Sequence, residues 1–206
     1  MDLNTITISA ETDSPEGLIV FLHGWGANAE DLASLTPLLR LPQYQFIFPD
    51  GPFPHPQVPL GRAWYSLETS EYKGLDESRQ SLQDWLASLE DSTGIPPSRT
   101  ILGGFSQGGA MTMDVGRKLG LAGLIVLSGY LHFSPEPVED GLPPMLIVHG
   151  RMDRVVPLSA AIQARDRFQE LGANVQYHEF DMAHEIRPEV LSLIRSFVVE
   201  VMSKST

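Results

Sequence analysis

The sequence predicts an α/β fold in which helices cover both faces of a mostly parallel central sheet. Two observations favour this class: apolar runs typical of buried strands alternate with helix-like segments, and no repeat, low-complexity tract or linker divides the 206 residues. A hydrophobic content of 42% suits one domain that buries roughly 70% of its unfolded surface. We therefore predict a single domain over residues 1–206.

The strands are predicted from their patterns of apolar residues. Residues 3–10 and 174–180 alternate apolar and polar side chains, which is typical of an edge or half-covered strand. The remaining predicted strands are continuous apolar runs, which indicates burial on both faces. They lie at 17–22, 45–48, 100–105, 121–127 and 145–149.

Helical periodicity occupies most of the intervals between these strands. The predicted helices begin near Gly74, near Gln107, after Pro157 and at Pro188, a favoured first helical position. Their apolar stripes are Leu82, Leu86 and Leu89; Met111, Val115 and Leu119; Leu158, Ile162, Arg165 and Phe168; and Ile194, Phe197, Val198 and Val201. Residues 50–74 are rich in proline and show neither period, so they are predicted to form a long irregular connection. Residues 128–144 are too few for a separate cap domain.

Composition excludes several classes of function. The formal net charge of −12 argues against a nucleic-acid partner, because there is no surplus of Lys and Arg to neutralise phosphates. The absence of cysteine excludes disulfides, thiolate nucleophiles and Cys-ligated zinc, and fits a reducing compartment. The first ten residues do not resemble a secretory signal, and no apolar run approaches the length of a membrane span. We expect a soluble, cytoplasmic protein.

The stretch GGFSQGGA, residues 103–110, contains the pattern G-x-S-x-G around Ser106. Glycines two residues to either side allow a sharp strand-to-helix turn that exposes the serine hydroxyl at the edge of the sheet. The pattern alone also fits an ordinary glycine-rich turn. Here an apolar strand precedes it and an amphipathic helix follows it, so we interpret it as a nucleophile elbow.

A serine hydroxyl needs a base to take its proton and an acid to orient that base. In folds with this elbow, the acid and then the histidine follow the serine along the chain, each on a loop after a strand. Asp153 follows the run MLIVHG and His184 follows the run VQYHEF, so both positions fit. Asp181, three residues before His184, is the rival acid.

The other five histidines fit the role of base less well. His23 and His149 end strands beside glycine, where a histidine that packs a loop is the simpler interpretation. His178 lies inside a predicted strand, and His55 and His132 lie in loops that the expected chain order does not favour.

An acyl-transfer mechanism also requires donors for an oxyanion. The N–H of Gln107, directly after the serine, is one candidate, and the N–H of Trp25 in the stretch LHGWGAN is the other. A simple tight turn is the alternative interpretation of that stretch. A cleft lined by Trp25, Trp64, Tyr65, Phe105 and Met152 would suit an apolar acyl chain of moderate length, although such aromatics are as often packing residues.

Seven stretches taken together resemble the phospholipase/carboxylesterase family of α/β-hydrolases, which includes acyl-protein thioesterases and small bacterial esterases. They are IVFLHGWGAN, FIFPDGP, GRAWYSL, ILGGFSQGGAM, VLSGYL, MLIVHGRMDRVVP and FDMAHEI, in order along nearly the whole chain. The resemblance implies an α/β-hydrolase fold without a large lid, a Ser106–His184–Asp153 triad, an oxyanion hole at Trp25 and Gln107, and a GRAWYSL segment that borders the acyl site.

The sequence departs from the family pattern at four positions. Trp25 stands where the family more often has leucine, Asn28 where an acidic residue is common, Ser66 where aspartate is usual, and Ala183 where glycine usually precedes the histidine. None of these removes a reacting group. The indole of Trp25 beside the oxyanion hole predicts an acyl pocket of unusual width.

The resemblance implies hydrolysis of carboxylic esters with short to medium acyl chains, of lysophospholipids, or of acyl thioesters, with no cofactor and no metal. The implied partner is a small acyl ester or thioester, and a homodimer is compatible with the sequence. Two alternatives stay open: a ligand-binding or sensor protein that keeps the fold with little turnover, and a peptide hydrolase.

Overall fold

A computed structural model describes residues 3–68, 71–139 and 141–204. Seven of its strands form one sheet in the spatial order β1-β3-β2-β6-β7-β8-β9, and β4 and β5 form a separate two-stranded ribbon. The strands are β1 (Thr5–Ile8), β2 (Gly17–Leu22), β3 (Tyr44–Pro49), β4 (Phe53–Pro54), β5 (Arg62–Ala63), β6 (Thr100–Phe105), β7 (Gly123–Leu127), β8 (Met145–Gly150) and β9 (Val175–Phe180).

Within the seven-stranded sheet, only the pairing of β1 with β3 is antiparallel. The predicted strands are confirmed, and their ends differ from the structure by at most two residues. β2, β6, β7 and β8 are buried or nearly so along their whole length, whereas β9 is partly exposed throughout. This difference follows from position, because β9 is an edge strand.

Helices cover both faces of the sheet, as predicted. They are α1 (Ala29–Ala33), α2 (Thr36–Leu39), α3 (Leu75–Thr93), α4 (Gln107–Gly116), α5 (Leu158–Glu170) and α6 (Pro188–Ser203). In β2, Leu18, Val20 and Leu22 share one apolar core with residues of α3, α4 and α5, while Ile19 and Phe21 share the other with residues of α1, α2 and α6. The alternation of strand side chains therefore divides the helices into two layers.

Several details differ from the sequence prediction. The connection at 50–74 contains the β4–β5 ribbon, and the segment between β2 and β3 contains the short helices α1 and α2. α4 ends at Gly116, so Leu119 lies beyond it. In α5 the buried residues are Ala161, Ala164 and Phe168, whereas Leu158, Ile162 and Arg165 are only partly buried, because small alanines face the sheet there.

The segment between β7 and β8 joins two neighbouring strands of the sheet. Its described residues, 128–139 and 141–144, contain neither helix nor strand. Across the described part of the chain, no helix has the length and apolar character needed to cross a membrane.

Candidate active site

Ser106 occupies the sharp turn between β6 and α4. Its backbone has a φ of 55° and a ψ of −116°, a conformation that residues with a side chain rarely adopt, and its N–H donates to the Leu127 carbonyl at 2.8 Å. A Cβ atom on Gly104 would lie 2.3 Å from the Gly108 carbonyl, and one on Gly108 would lie 2.1 Å from the Leu22 carbonyl. The pattern G-x-S-x-G is therefore required sterically at this turn.

Asp153 lies in the loop after β8, and its side chain has no exposed surface. Its Oδ1 accepts the N–H groups of Val155 and Val156, each at 2.9 Å, and its Oδ2 lies 2.7 Å from Nδ1 of His184. Burial by itself raises the pKa of the Asp153 carboxyl, but the hydrogen bonds from His184, Val156 and Val155 outweigh it and hold the pKa below its ordinary value. Asp153 is thus held as a carboxylate against the imidazole.

His184 lies in the loop after β9, and backbone hydrogen bonds tie this loop to the Asp153 loop. The Met152 N–H donates to the Met182 carbonyl at 3.1 Å. The two loops pass so closely that a Cβ on Gly150 would lie 2.2 Å from that same carbonyl. The rival acid, Asp181, has a different partner: it binds the Arg151 guanidinium at 2.8 Å, and its side chain is 79% exposed.

The serine lies close to this pair. The ring of Phe105, the residue before it, lies 4.7 Å from the His184 ring. The hydroxyl of Ser106 makes no hydrogen bond with His184 or with any other residue that the structure describes. In this conformation the imidazole is hydrogen-bonded to the Asp153 carboxylate and not to the serine hydroxyl.

The loop after β2 passes directly beside the serine. A Cβ on Gly24 would lie 3.4 Å from the Ser106 Cβ, an ordinary contact distance. Among the described residues, the backbone N–H groups of Trp25 and Gln107 have no hydrogen-bond acceptor. Two unused donors therefore flank Ser106, which is what an oxyanion site requires.

Trp64 and Tyr65 belong to the connection at 50–74, called the rim below, and they are buried, although the sequence suggests that they line a cleft. Both have no exposed surface. The indole N–H of Trp64 donates to the His23 carbonyl at 3.0 Å. Phe105 and Trp25 are partly exposed and Met152 is 55% exposed. Of the five residues proposed to line the cleft, only these last three are exposed to solvent at all.

The side chain of Gln107 has a structural role that the sequence analysis missed. Its Oε1 accepts the Trp64 N–H at 2.9 Å and its Nε2 donates to the Tyr65 carbonyl at 2.9 Å, so this buried amide joins the rim to the Ser106 turn. Its partners are 43 and 42 residues away in sequence, and no local pattern marks such a pairing.

The Tyr65 hydroxyl belongs to a second buried polar cluster. It contacts the Tyr130 hydroxyl and lies 2.6 Å from Nε2 of His132, whose Nδ1 lies 3.0 Å from Oδ2 of Asp114. Burial raises the pKa of Tyr65 far above its ordinary value, so the phenol stays protonated. His132, which the sequence analysis assigned to a loop, therefore helps to fix the rim from its buried side.

The indole of Trp25 packs edge-on against the His55 ring, with 4.6 Å between ring centroids. His55 belongs to the irregular connection, and a Cβ on Gly26 would lie 3.3 Å from its ring. The unusual aromatic residue in the loop after β2 is thus in contact with the rim. No cluster of three or more metal-ligating side chains occurs within residues 3–68, 71–139 and 141–204.

Comparisons with known proteins agree with this architecture. The solved structure of esterase PE8 superposes with a TM-score of 0.89 at 30% identity and covers 98% of this chain and 100% of its own. The carboxylesterase of Bacillus cereus, at 14% identity and a TM-score of 0.83, shares the fold over 97% of this chain and 94% of its own.

Sequence relatives indicate the same group of proteins. Acyl-protein thioesterase 1 of Neurospora crassa is 31% identical, over 90% of this chain and 87% of its own length. Lysophospholipase-like protein 1 of Mus musculus is 26% identical, over 88% and 85%. The family model described as phospholipase/carboxylesterase matches residues 3–202. The chain therefore belongs to the phospholipase/carboxylesterase family of α/β-hydrolases.

Proposed function

We propose that the protein is a serine hydrolase of carboxylic acyl esters, in which Ser106 is the nucleophile, His184 the general base and Asp153 the residue that orients it. The observation that carries this proposal is the 2.7 Å contact between Nδ1 of His184 and the buried Asp153 carboxylate, beside a serine held at positive φ. A carboxylate on Nδ1 leaves Nε2 of the imidazole as the proton acceptor.

The reaction follows from these roles. Nε2 of His184 takes the hydroxyl proton as Ser106 Oγ attacks the acyl carbon, and the imidazolium that forms is stabilised by Asp153. The N–H groups of Trp25 and Gln107 donate to the oxygen that becomes negative. Proton transfer from His184 to the leaving alcohol or thiol gives an acyl-enzyme, which water hydrolyses by the same steps.

The substrates we propose have short to medium acyl chains, in oxygen esters, thioesters or lysophospholipids. The partly exposed surfaces of Trp25 and Phe105 and the exposed side chain of Met152 support an apolar acyl site. The names of two relatives, acyl-protein thioesterase 1 and lysophospholipase-like protein 1, support the same range of leaving groups.

The decisive test is Ser106→Ala. Turnover of p-nitrophenyl butyrate should fall by about 10³-fold or more, because only the oxyanion donors and binding would remain. A fluorophosphonate probe should label the wild type and not the variant, and Ser134→Ala, at an exposed serine, should behave as wild type. A Ser106→Ala protein that keeps most of its activity would refute the proposal. Tight binding of acyl ligands by the wild type without product would favour a binding protein instead.

Comparison of matched oxygen esters, thioesters and lysophosphatidylcholine over a series of chain lengths then defines the substrate. Ser106→Ala serves as the blank for each compound. We expect a preference for moderate chain length, because Met152 and Phe105 offer limited apolar surface.

A further inference from the structure

His23, directly after β2, has no exposed surface and takes no part in the mechanism above. Both of its ring nitrogens have partners. Nδ1 lies 2.8 Å from the Gly24 carbonyl oxygen, and Nε2 lies 2.9 Å from the backbone nitrogen of Gly51. The Trp64 ring packs beside it, with 5.5 Å between ring centroids.

These partners determine which nitrogen carries the proton. The Gly51 N–H can only donate, so Nε2 must accept. A carbonyl can only accept, so Nδ1 must carry the hydrogen and donate to Gly24. Burial lowers the pKa of His23, against the opposing effects of the Gly24 carbonyl and of Asp50 and Asp31, and Arg62 acts in the same direction as burial. The ring is therefore a neutral imidazole with a defined tautomer.

The carbonyl that receives this hydrogen bond belongs to the peptide unit between Gly24 and Trp25. Because a peptide unit is planar, fixing its oxygen also fixes the direction of its N–H, which here is the N–H of Trp25. A hydrogen bond to the oxygen also polarises the unit and makes that N–H a better donor. The same oxygen accepts the Ala27 N–H at 3.2 Å, so two donors hold the peptide plane.

We infer that His23 is the positioning residue of the oxyanion site: its Nδ1–H orients and polarises the Gly24–Trp25 peptide so that the Trp25 N–H is directed at the substrate oxygen. This inference rests on the proposed function, because it assumes that Trp25 donates to an oxyanion at Ser106. His23 itself touches neither the substrate nor Ser106 in this mechanism.

Two variants distinguish a histidine that only packs the loop from one that orients the Trp25 N–H. Asparagine places an N–H near the position of Nδ1 but offers nothing to Gly51. Glutamine places an acceptor near the position of Nε2 but offers no donor to Gly24. His23→Asn should therefore keep activity and lose thermal stability, while His23→Gln should keep stability and lose activity.

The measurement is kcat and KM for p-nitrophenyl butyrate, together with the affinity for a trifluoromethyl ketone, which binds as an oxyanion. We expect His23→Gln to lower kcat by about 10-fold or more with KM changed less than about twofold, because an oxyanion donor acts in the transition state. Ketone affinity should fall in parallel and recover in His23→Asn. His178→Gln, in β9, is the matched control and should change none of these values.

A second measurement does not depend on variants that fold. Long-range ¹H–¹⁵N spectra of the wild type should show His23 with a protonated Nδ1 and an unprotonated Nε2 at pH 7. A proton on Nε2, or an imidazolium, would overturn the inference. Equal kcat in His23→Gln and His23→Asn would also overturn it, while the loss of activity in Ser106→Ala would leave the proposed function standing.

Discussion

The turn at Ser106 and the loops that carry Asp153 and His184 bring their side chains to one edge of the sheet by different physical means. The turn is fixed by steric exclusion, since a Cβ on Gly108 would lie 2.1 Å from the Leu22 carbonyl. The loops are fixed by hydrogen bonds to the Asp153 carboxylate. One of its oxygens accepts two backbone N–H groups of its own loop, and the other lies 2.7 Å from Nδ1 of His184.

Because of this difference, the two regions should be sensitive to different changes. A turn held by close backbone contacts should not accept one added carbon, but it contains no group that changes charge. Loops held by a buried carboxylate depend instead on the ionisation of one side chain. Changes that act on one region and spare the other therefore test the comparison.

The largest effect is expected from Asp153→Asn. The asparagine oxygen can still accept the N–H groups of Val155 and Val156, so its amide nitrogen would face Nδ1 of His184 and favour the tautomer that cannot act as base. We expect kcat for ester hydrolysis to fall by about 10³- to 10⁴-fold. Circular dichroism spectra should match those of the wild type.

Asp181→Asn is the matched control for that experiment. Asp181 is mostly exposed and pairs with Arg151, so its loss should change kcat by less than about twofold, as for a surface ion pair. An Asp181→Asn variant with the larger defect, or an Asp153→Asn variant that keeps most of its turnover, would contradict the assignment of the acid.

Gly108→Ala tests the steric half of the comparison. The added carbon would collide with the carbonyls of Leu22 and His23, at 2.1 Å and 2.7 Å, so the turn must shift. We expect the free energy of unfolding in urea to fall by about 3 kcal/mol or more, with activity lost as well.

Two other glycine variants should lower the free energy of unfolding by less and serve as comparisons. In Gly109→Ala the added Cβ would lie no closer than 3.1 Å to backbone atoms, so the free energy of unfolding should fall less than in Gly108→Ala. Gly94→Ala, at a φ of 71° with open space around it, should cost about 1–2 kcal/mol from the left-handed backbone alone and leave kcat unchanged. Equal stability of Gly108→Ala and wild type would show that the turn is not fixed by steric exclusion.

The sequence predicts those parts of the molecule that depend on repeated local patterns. β2, β6, β7 and β8 are found because strands buried on both faces are continuous apolar runs. Asp153 and His184 follow neighbouring strands, and they meet because the carboxyl ends of parallel strands lie at one edge of the sheet.

Other parts could not be found in this way. The β4–β5 ribbon has two residues in each strand, which is too short for a period. The buried face of α5 is marked by Ala161 and Ala164, whose small side chains give little contrast in hydropathy. The amide of Gln107 and Nε2 of His23 bind backbone groups distant in sequence, so their roles follow only from the folded chain.

One local signal was available and missed: Asn28 and Asp31 form a capping box that begins α1.

The smallest effect is expected in the pH dependence of stability, and it separates the two regions directly. The pKa of Asp153 is below its ordinary value, so its ionised form stabilises the fold above about pH 4, and this contribution is lost as the pH falls through the lowered pKa. The difference in unfolding free energy between wild type and Asp153→Asn should therefore shrink between pH 5 and the most acidic pH at which the wild type stays folded. The difference between wild type and Gly109→Ala should stay constant over the same range, because a steric contact binds no proton.

Urea titrations of the three proteins at each pH measure both differences. A constant difference for Asp153→Asn would show that its carboxylate does not stabilise the loops, and a changing one for Gly109→Ala would show that the turn depends on a titrating group.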